Sequence, residues 1–152
     1  MRGKTVKESM TEMTELVLPN DTNLLGNLLG GRLMHWIDIA GAMAASRHAN
    51  SVVATVAVDC IDFKHPVRMG EVVIFKAKLV HVGRTSLRAL VKVYAENVYN
   101  GNVIRTNTAM LTFVALDKEG KPNPVPPLIL ETDEERELFD AEDERRKNIG
   151  RC

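Results

Sequence analysis

The 152-residue chain is short of the features that would commit it to metal, membrane or nucleic acid. It has two cysteines, Cys60 and Cys152, the second at the very end. Two such positions do not make a disulfide framework, and Cys60 reads as a small buried apolar residue in a strand-like run. Such sparse use fits a reducing cytoplasm. The four histidines, at 35, 48, 65 and 81, show no zinc-ligand spacing. Formal net charge is zero, so no basic field points to nucleic acid. No apolar run approaches membrane-spanning length. Met1–Met10 has basic residues but no apolar stretch behind them, so it reads as an arm over residues 1–11 and not as a leader.

What is present is one domain's worth of alternating pattern. Glu12–Leu18 predicts a short strand stopped by Pro19, and Asn20–Asn23 is loop chemistry. A helix is expected from Gly30 or Gly31 to about His48. Its apolar residues fall on nearly every side, which predicts burial all round. The small residues Gly41, Ala42, Ala44 and Ala45 predict a close neighbour. Strand patterns follow at Val52–Phe63, Glu71–Val82, Arg84–Ala95 and Val103–Leu116. Val52, Ala54, Val56, Val58 and Cys60 share one face of the first, and Thr85, Leu87, Ala89, Val91 and Val93 one face of the third. Short turns, among them Asn100-Gly101, demand antiparallel pairing. The chain therefore predicts an α+β fold: a five-stranded antiparallel sheet curled around one long helix, with the core domain over 12–127. A charged C-terminal helix follows within 128–152, opened by Thr132 and Glu135 as a capping box and running to Arg151.

Chemistry gathers at Gly26-Asn27-Leu28-Leu29-Gly30-Gly31 and at Asp38, the one carboxylate in the apolar helix. A glycine-rich entry leaves the first helical N–H groups free to hold an anionic oxygen. Asn27 adds an amide, and Asp38 is a candidate base. A lone carboxylate among apolar residues is costly to bury unless paired or used. Asp38 lies seven residues beyond Gly31, about 10 Å along a helix. One reacting carbon cannot meet both at about 3 Å, so the Asp38 and the Gly31 of one site should come from different subunits.

Asp21-Thr22-Asn23, Gly26-Asn27, Gly30-Gly31, Met34–Asp38, Ala40-Gly41, Arg47-His48, Asp59–Phe63, Gly83–Leu87 and Phe113–Asp117 with Glu119–Pro122, taken in order, resemble the hotdog-fold acyl-CoA thioesterases, especially the cytosolic acyl-coenzyme A hydrolase branch. The resemblance implies a helix wrapped by a sheet, with two subunits pairing into one continuous sheet and three pairs forming a hexamer. It implies hydrolysis of acyl-CoA to fatty acid and CoA, with CoA as part of the substrate and no metal or organic cofactor. It carries catalytic roles onto Asn27, Asp38 and Gly31, with Gly30 beside the last. Gly83-Arg84-Thr85-Ser86 matches the segment that lines the CoA site, so Arg84, Thr85 and Ser86 are substrate-binding candidates, with Arg32 and Arg68 behind them. Two other readings stay open: a hydratase or dehydratase acting on acyl thioesters, which in relatives uses a histidine with a carboxylate, and an acyl-CoA-binding module without turnover.

Overall fold

In the computed structural model, which describes residues 1–147, the chain runs β1 (Lys4–Thr5), α1 (Val6–Ser9), β2 (Thr11–Leu16), a 3-10 turn (Pro19–Asp21), α2 (Gly30–Ala49), β3 (Val52–Phe63), β4 (Val72–Val82), β5 (Ser86–Glu96), β6 (Val103–Leu116), β7 (Leu128–Ile129) and α3 (Asp133–Lys147). The five long strands form one antiparallel sheet in the order β2-β4-β5-β6-β3. With α2 against it, this is the fold expected from the patterning.

The alternation in β4, β5 and β6 decides which face meets the helix. Val73, Phe75, Ala77 and Leu79 of β4, Leu87, Ala89, Val91 and Val93 of β5, and Ala109, Leu111, Phe113 and Ala115 of β6 are all buried. They pack on Leu33, Trp36, Ile37, Ala40, Ala44 and Ala45 of α2. Gly41 sits where a Cβ would lie 3.1 Å from the Phe113 ring, so the small residues of α2 do mark a close approach to the sheet. The helix is not buried all round, however. Arg32, His35, Ile39, Met43 and Arg47 are exposed, because one sheet can cover only one stripe.

The strand β3 departs from its expected pattern in the same way. It is an edge strand, and Val52 and Val56 are 71% and 61% exposed. The residues that reach the core are Val53, Val58 and Ile61. Register shifts between Thr55 and Ala57 and between Asp59 and Asp62 break the period of two. Cys60 lies inside the second irregularity with φ of 53°. It is half-buried, not tucked into the core as the sequence pattern predicts.

The N-terminal segment, expected as a loose arm, is held from Lys4 onward. β1 pairs in parallel with β7, Val6 is buried, Lys4 Nζ donates to the Arg47 carbonyl at 2.8 Å and to the Asn50 side chain, and Thr5 with Glu8 forms a capping box on α1. A two-residue strand, one turn of helix and one apolar anchor suffice to seat so short a piece. At the other end α3 opens as predicted, with the Glu135 N–H donating to Thr132 Oγ1 at 3.1 Å, though the Glu135 carboxylate reaches back to the Glu131 N–H. The expected end of this helix, and Cys152, lie outside the described residues. The outer face of the sheet receives α3 through Arg88 Nε and Glu142 Oε2 at 3.0 Å, both nearly fully buried, and through the stacked rings of His81 and Phe139, while Asp59 of β3 holds the same Arg88 at 2.7 Å.

Candidate active site

Helix α2 starts without a side-chain cap, and no acidic residue lies in its first turn. The N-cap is Leu29, whose own N–H is spent on the Asp21 carbonyl at 2.9 Å. The leading N–H groups at Gly30 and Gly31 are therefore open, at the positive end of a 20-residue helix. Neither glycine has a left-handed φ, and a Cβ built on either meets nothing within 4 Å. Neither backbone conformation nor packing inside the protomer demands glycine there. What glycine leaves at this helix start is room for an approaching group.

The preceding loop is rigid for its size. The Asn23 N–H donates to the Asn27 carbonyl at 2.8 Å and the Gly26 N–H to the Asn23 carbonyl at 3.0 Å. Asn23 Oδ1 accepts from the N–H groups of Leu25 and Asn27, an Asx-type turn. Gly26 has φ of 78°, a conformation that costs other residues strain. The amide NH2 of Asn23 has no protein partner among the described residues. Asn27 turns its Oδ1 inward, where it is buried without a partner. The tip, Leu24 and Leu25, projects into solvent.

Asp38 is half-buried two turns into α2. Thr55 Oγ1 donates to Asp38 Oδ1 at 2.7 Å. Thr55 pairs with Phe113 in the sheet, and directly opposed residues share a face, so Thr55 looks toward the helix. The register shift that follows it re-aims the strand at this point. Sequence reading missed Thr55. Its one available signal was a polar residue interrupting the run Val52–Val58. No hydrogen bond joins Asp38 to the Gly30–Gly31 end or to Asn27 within the described protomer.

The remaining candidates separate. Gly83–Ser86 forms a closed turn, with the Gly83 N–H donating to the Ser86 carbonyl at 2.9 Å and the Thr85 carbonyl accepting from Ala115. Arg84 is exposed beside it. A Cβ at Gly83 would lie 2.8 Å from the Arg146 guanidinium, so α3 roofs this turn. Arg32 is engaged with Asp21 at 3.2 Å, while Arg68 stays exposed. His48 is buried, with Nε2 on the Pro126 carbonyl at 2.8 Å, and His35 is exposed. No histidine joins Asp38, so the pairing that the hydratase reading requires does not form here.

A helix start open to an oxyanion, a carboxylate held by a hydroxyl and a sheet wrapped on one helix define a class that comparison with known proteins makes specific. The thioesterase superfamily model matches residues 25–102. An uncharacterized acyl-CoA thioester hydrolase of Bacillus subtilis, YkhA, is 39% identical over 148 residues, covering 95% of this chain and 86% of its own. The crystal structure of an apo-hexameric acyl-CoA thioesterase superposes with a TM-score of 0.92 at 38% identity, covering 97% of this chain and 95% of the other. An acyl-CoA hydrolase from Staphylococcus aureus, in complex with butyryl-CoA, CoA and CoA disulfide, gives 0.86 at 34%, covering 95% and 88%. Structures of three of its variants, with one Asp, one Asn or one Thr changed to Ala, match at 32–33%. The chain belongs to the thioesterase superfamily, among its acyl-CoA thioester hydrolases.

Proposed function

We propose that this chain hydrolyses acyl-CoA thioesters to a carboxylic acid and free CoA, at sites shared between two protomers. The observation that carries the reading is the Thr55–Asp38 pair between β3 and α2, while the open Gly30–Gly31 start stands about 10 Å away along the same helix. A second copy supplies the missing half. Strand β3 is an unpaired edge with apolar residues exposed along it, and such an edge is a template for another strand. Pairing there joins two sheets into one and buries Val52 and Val56. The neighbour described as hexameric supports an oligomer, and three such dimers make the hexamer we propose.

In this arrangement Asp38 takes a proton from water as the water oxygen attacks the thioester carbon. Thr55 occupies Oδ1, which leaves Oδ2 for that water. The carbonyl oxygen becomes an oxyanion, held by the N–H groups of Gly31 and its neighbour Gly30 in the partner's helix. A donor of this kind is worth about 3 kcal/mol in the transition state. Collapse of the tetrahedral intermediate breaks the C–S bond, and the CoA sulfur leaves with a proton.

An amide is the remaining donor, for which the resemblance pointed to Asn27. In the S. aureus variants the replaced Asp and Thr stand 17 residues apart, the interval between Asp38 and Thr55. The replaced Asn stands 15 before the Asp, the interval from Asn23 to Asp38, whereas Asn27 stands only 11 before. The spacing and its unengaged NH2 favour Asn23 for this role. Asn27 then serves as the anchor of the loop. Arg84, Thr85 and Ser86 line the path of the CoA phosphates and pantetheine. CoA is substrate and product, and no further cofactor enters the scheme. The name of a mouse relative, a cytosolic hydrolase 33% identical over 90% of this chain and 36% of its own length, supports a cytoplasmic location.

The test is thiol release from acetyl-, butyryl-, octanoyl- and palmitoyl-CoA. Asp38→Asn should lower kcat by about 10²–10⁴-fold with the oligomer intact. Asn23→Ala should cost more than Asn27→Ala in kcat, and the reverse order returns the role to Asn27. Tight CoA-ester binding without thiol release by the unaltered protein sinks the catalytic reading in favour of a binding module.

A further inference from the structure

The outer face of the sheet is only half covered. α3 lies over His81 and Arg88, and its first turn reaches Lys78 through Glu134 at 3.3 Å. Beyond that contact lies a cavity of about 360 Å³, within the range of small-ligand sites. Its walls come from Met10, Thr11 and Glu12 on one side and from β4 and β5 on the other.

Two observations mark this cavity as more than a surface irregularity. Lys76 of β4 pairs directly with Lys92 of β5 in the register. Like charges directly opposed across strands are destabilising, and neither lysine forms an ion pair among the described residues. Lys92 is half-buried. Glu12 pairs with Lys76 on the far side and cannot sit opposite Lys92 as well, whose other neighbour is Thr108. Secondly, Tyr94 stands two residues along β5 on the same face, with Lys76 Nζ 5.2 Å from its ring centroid. Leu90 completes an apolar floor.

We infer that this cavity is a second ligand site, which takes an organic anion. Its phosphate or carboxylate lies between Lys76 and Lys92, and its flat or aliphatic body lies against Tyr94 and Leu90. The anion relieves the opposed charges, and Lys78, neutralised by Glu134, closes the rim. The site lies on the face of the sheet opposite to α2, so it is separate from Asp38, and it meets the first turn of α3 at Glu134 whereas the Gly83 turn meets the last at Arg146. The inference does not rest on the thioesterase reading.

Isothermal titration of the full chain with ADP and with octanoate separates the two sources of the anion, and inorganic phosphate tests whether the body is needed. One of the two organic anions should bind more tightly than inorganic phosphate. The double change Lys76→Met with Lys92→Met should weaken that binding by about tenfold or more, and Tyr94→Leu should weaken it too. The part of the binding that the lysine change removes should persist in Arg84→Gln, and thiol release from butyryl-CoA should be unchanged in the lysine variant. No binding by the unaltered protein overturns the site. So does binding lost in Arg84→Gln but kept in the lysine variant, which places the anion in the CoA path. A lysine variant that changes oligomeric state on gel filtration with light scattering also overturns it, because the face is then a contact between copies.

Discussion

Replacing Gly31 by alanine separates what the fold needs from what the chemistry needs. Gly31 is the second helical residue of α2, with an ordinary helical φ and open space around its missing Cβ. Within the protomer, alanine restricts the unfolded chain and fits the folded one. The gain should be about 0.4–1 kcal/mol, which in a domain of this size raises Tm by roughly 1–4 °C. The site account predicts the opposite for activity. The methyl group enters the space through which a thioester oxygen must approach the helix N–H groups. A displacement of about 1 Å costs on the order of 10²-fold in rate. Differential scanning fluorimetry and thiol release from butyryl-CoA on one preparation read both quantities. The expected outcome is a more stable, much slower enzyme, with kcat falling more than KM rises because the lost contact belongs to the transition state. Unchanged kcat/KM would refute the use of this helix start as an oxyanion site. A lowered Tm would show that a partner subunit, and not substrate, fills the space.

Thr55→Val keeps shape and removes the hydroxyl that donates to Asp38. Because the pair is partly exposed, its contribution to stability should be small, below about 1 kcal/mol, while kcat falls about tenfold as Asp38 loses its orientation. Thr55→Ser should restore most of the rate, and equal rates for Val and Ser refute the role. His48 carries the pH prediction. Burial lowers its pKa below the ordinary value of 6.5, with the Pro126 hydrogen bond opposing. The unfolded chain then binds the proton more readily than the folded one, so stability is complete above about pH 6.5 and declines as pH falls through the lowered folded value, by at most about 1.4 kcal/mol per pH unit. Chemical denaturation at pH 7.5 and 5.5 should show this slope reduced in His48→Leu, and an undiminished slope assigns it elsewhere.

How much of this was legible beforehand follows from where each residue finds its neighbours. β3 and β6 match their expected bounds, and β5 the core face expected of Leu87–Val93, because β4, β5 and β6 meet α2 within one protomer and alternation reports that contact. The helix start was legible for a different reason, since the paired glycines cost conformational entropy and nothing local repays it. Thr55 was not legible, because its meaning depends on a register shift set by the pairing of β3 with β6. The same cause misplaced the β3 face. Val52, Ala54 and Val56 look like core by composition, and in the dimer we propose the second copy covers them. Ile39 and Met43 on α2, and Leu24 and Leu25 at the loop tip, are exposed in the protomer as well. An apolar pattern records that a residue is buried somewhere, not that it is buried by its own protomer. The exposed apolar residues of β3, α2 and the Asn23–Asn27 loop flank the two halves of the site, Asp38 with Thr55 and Gly30 with Gly31. On the proposed function, the β3 and α2 residues read as core belong to the surface that a second copy would complete.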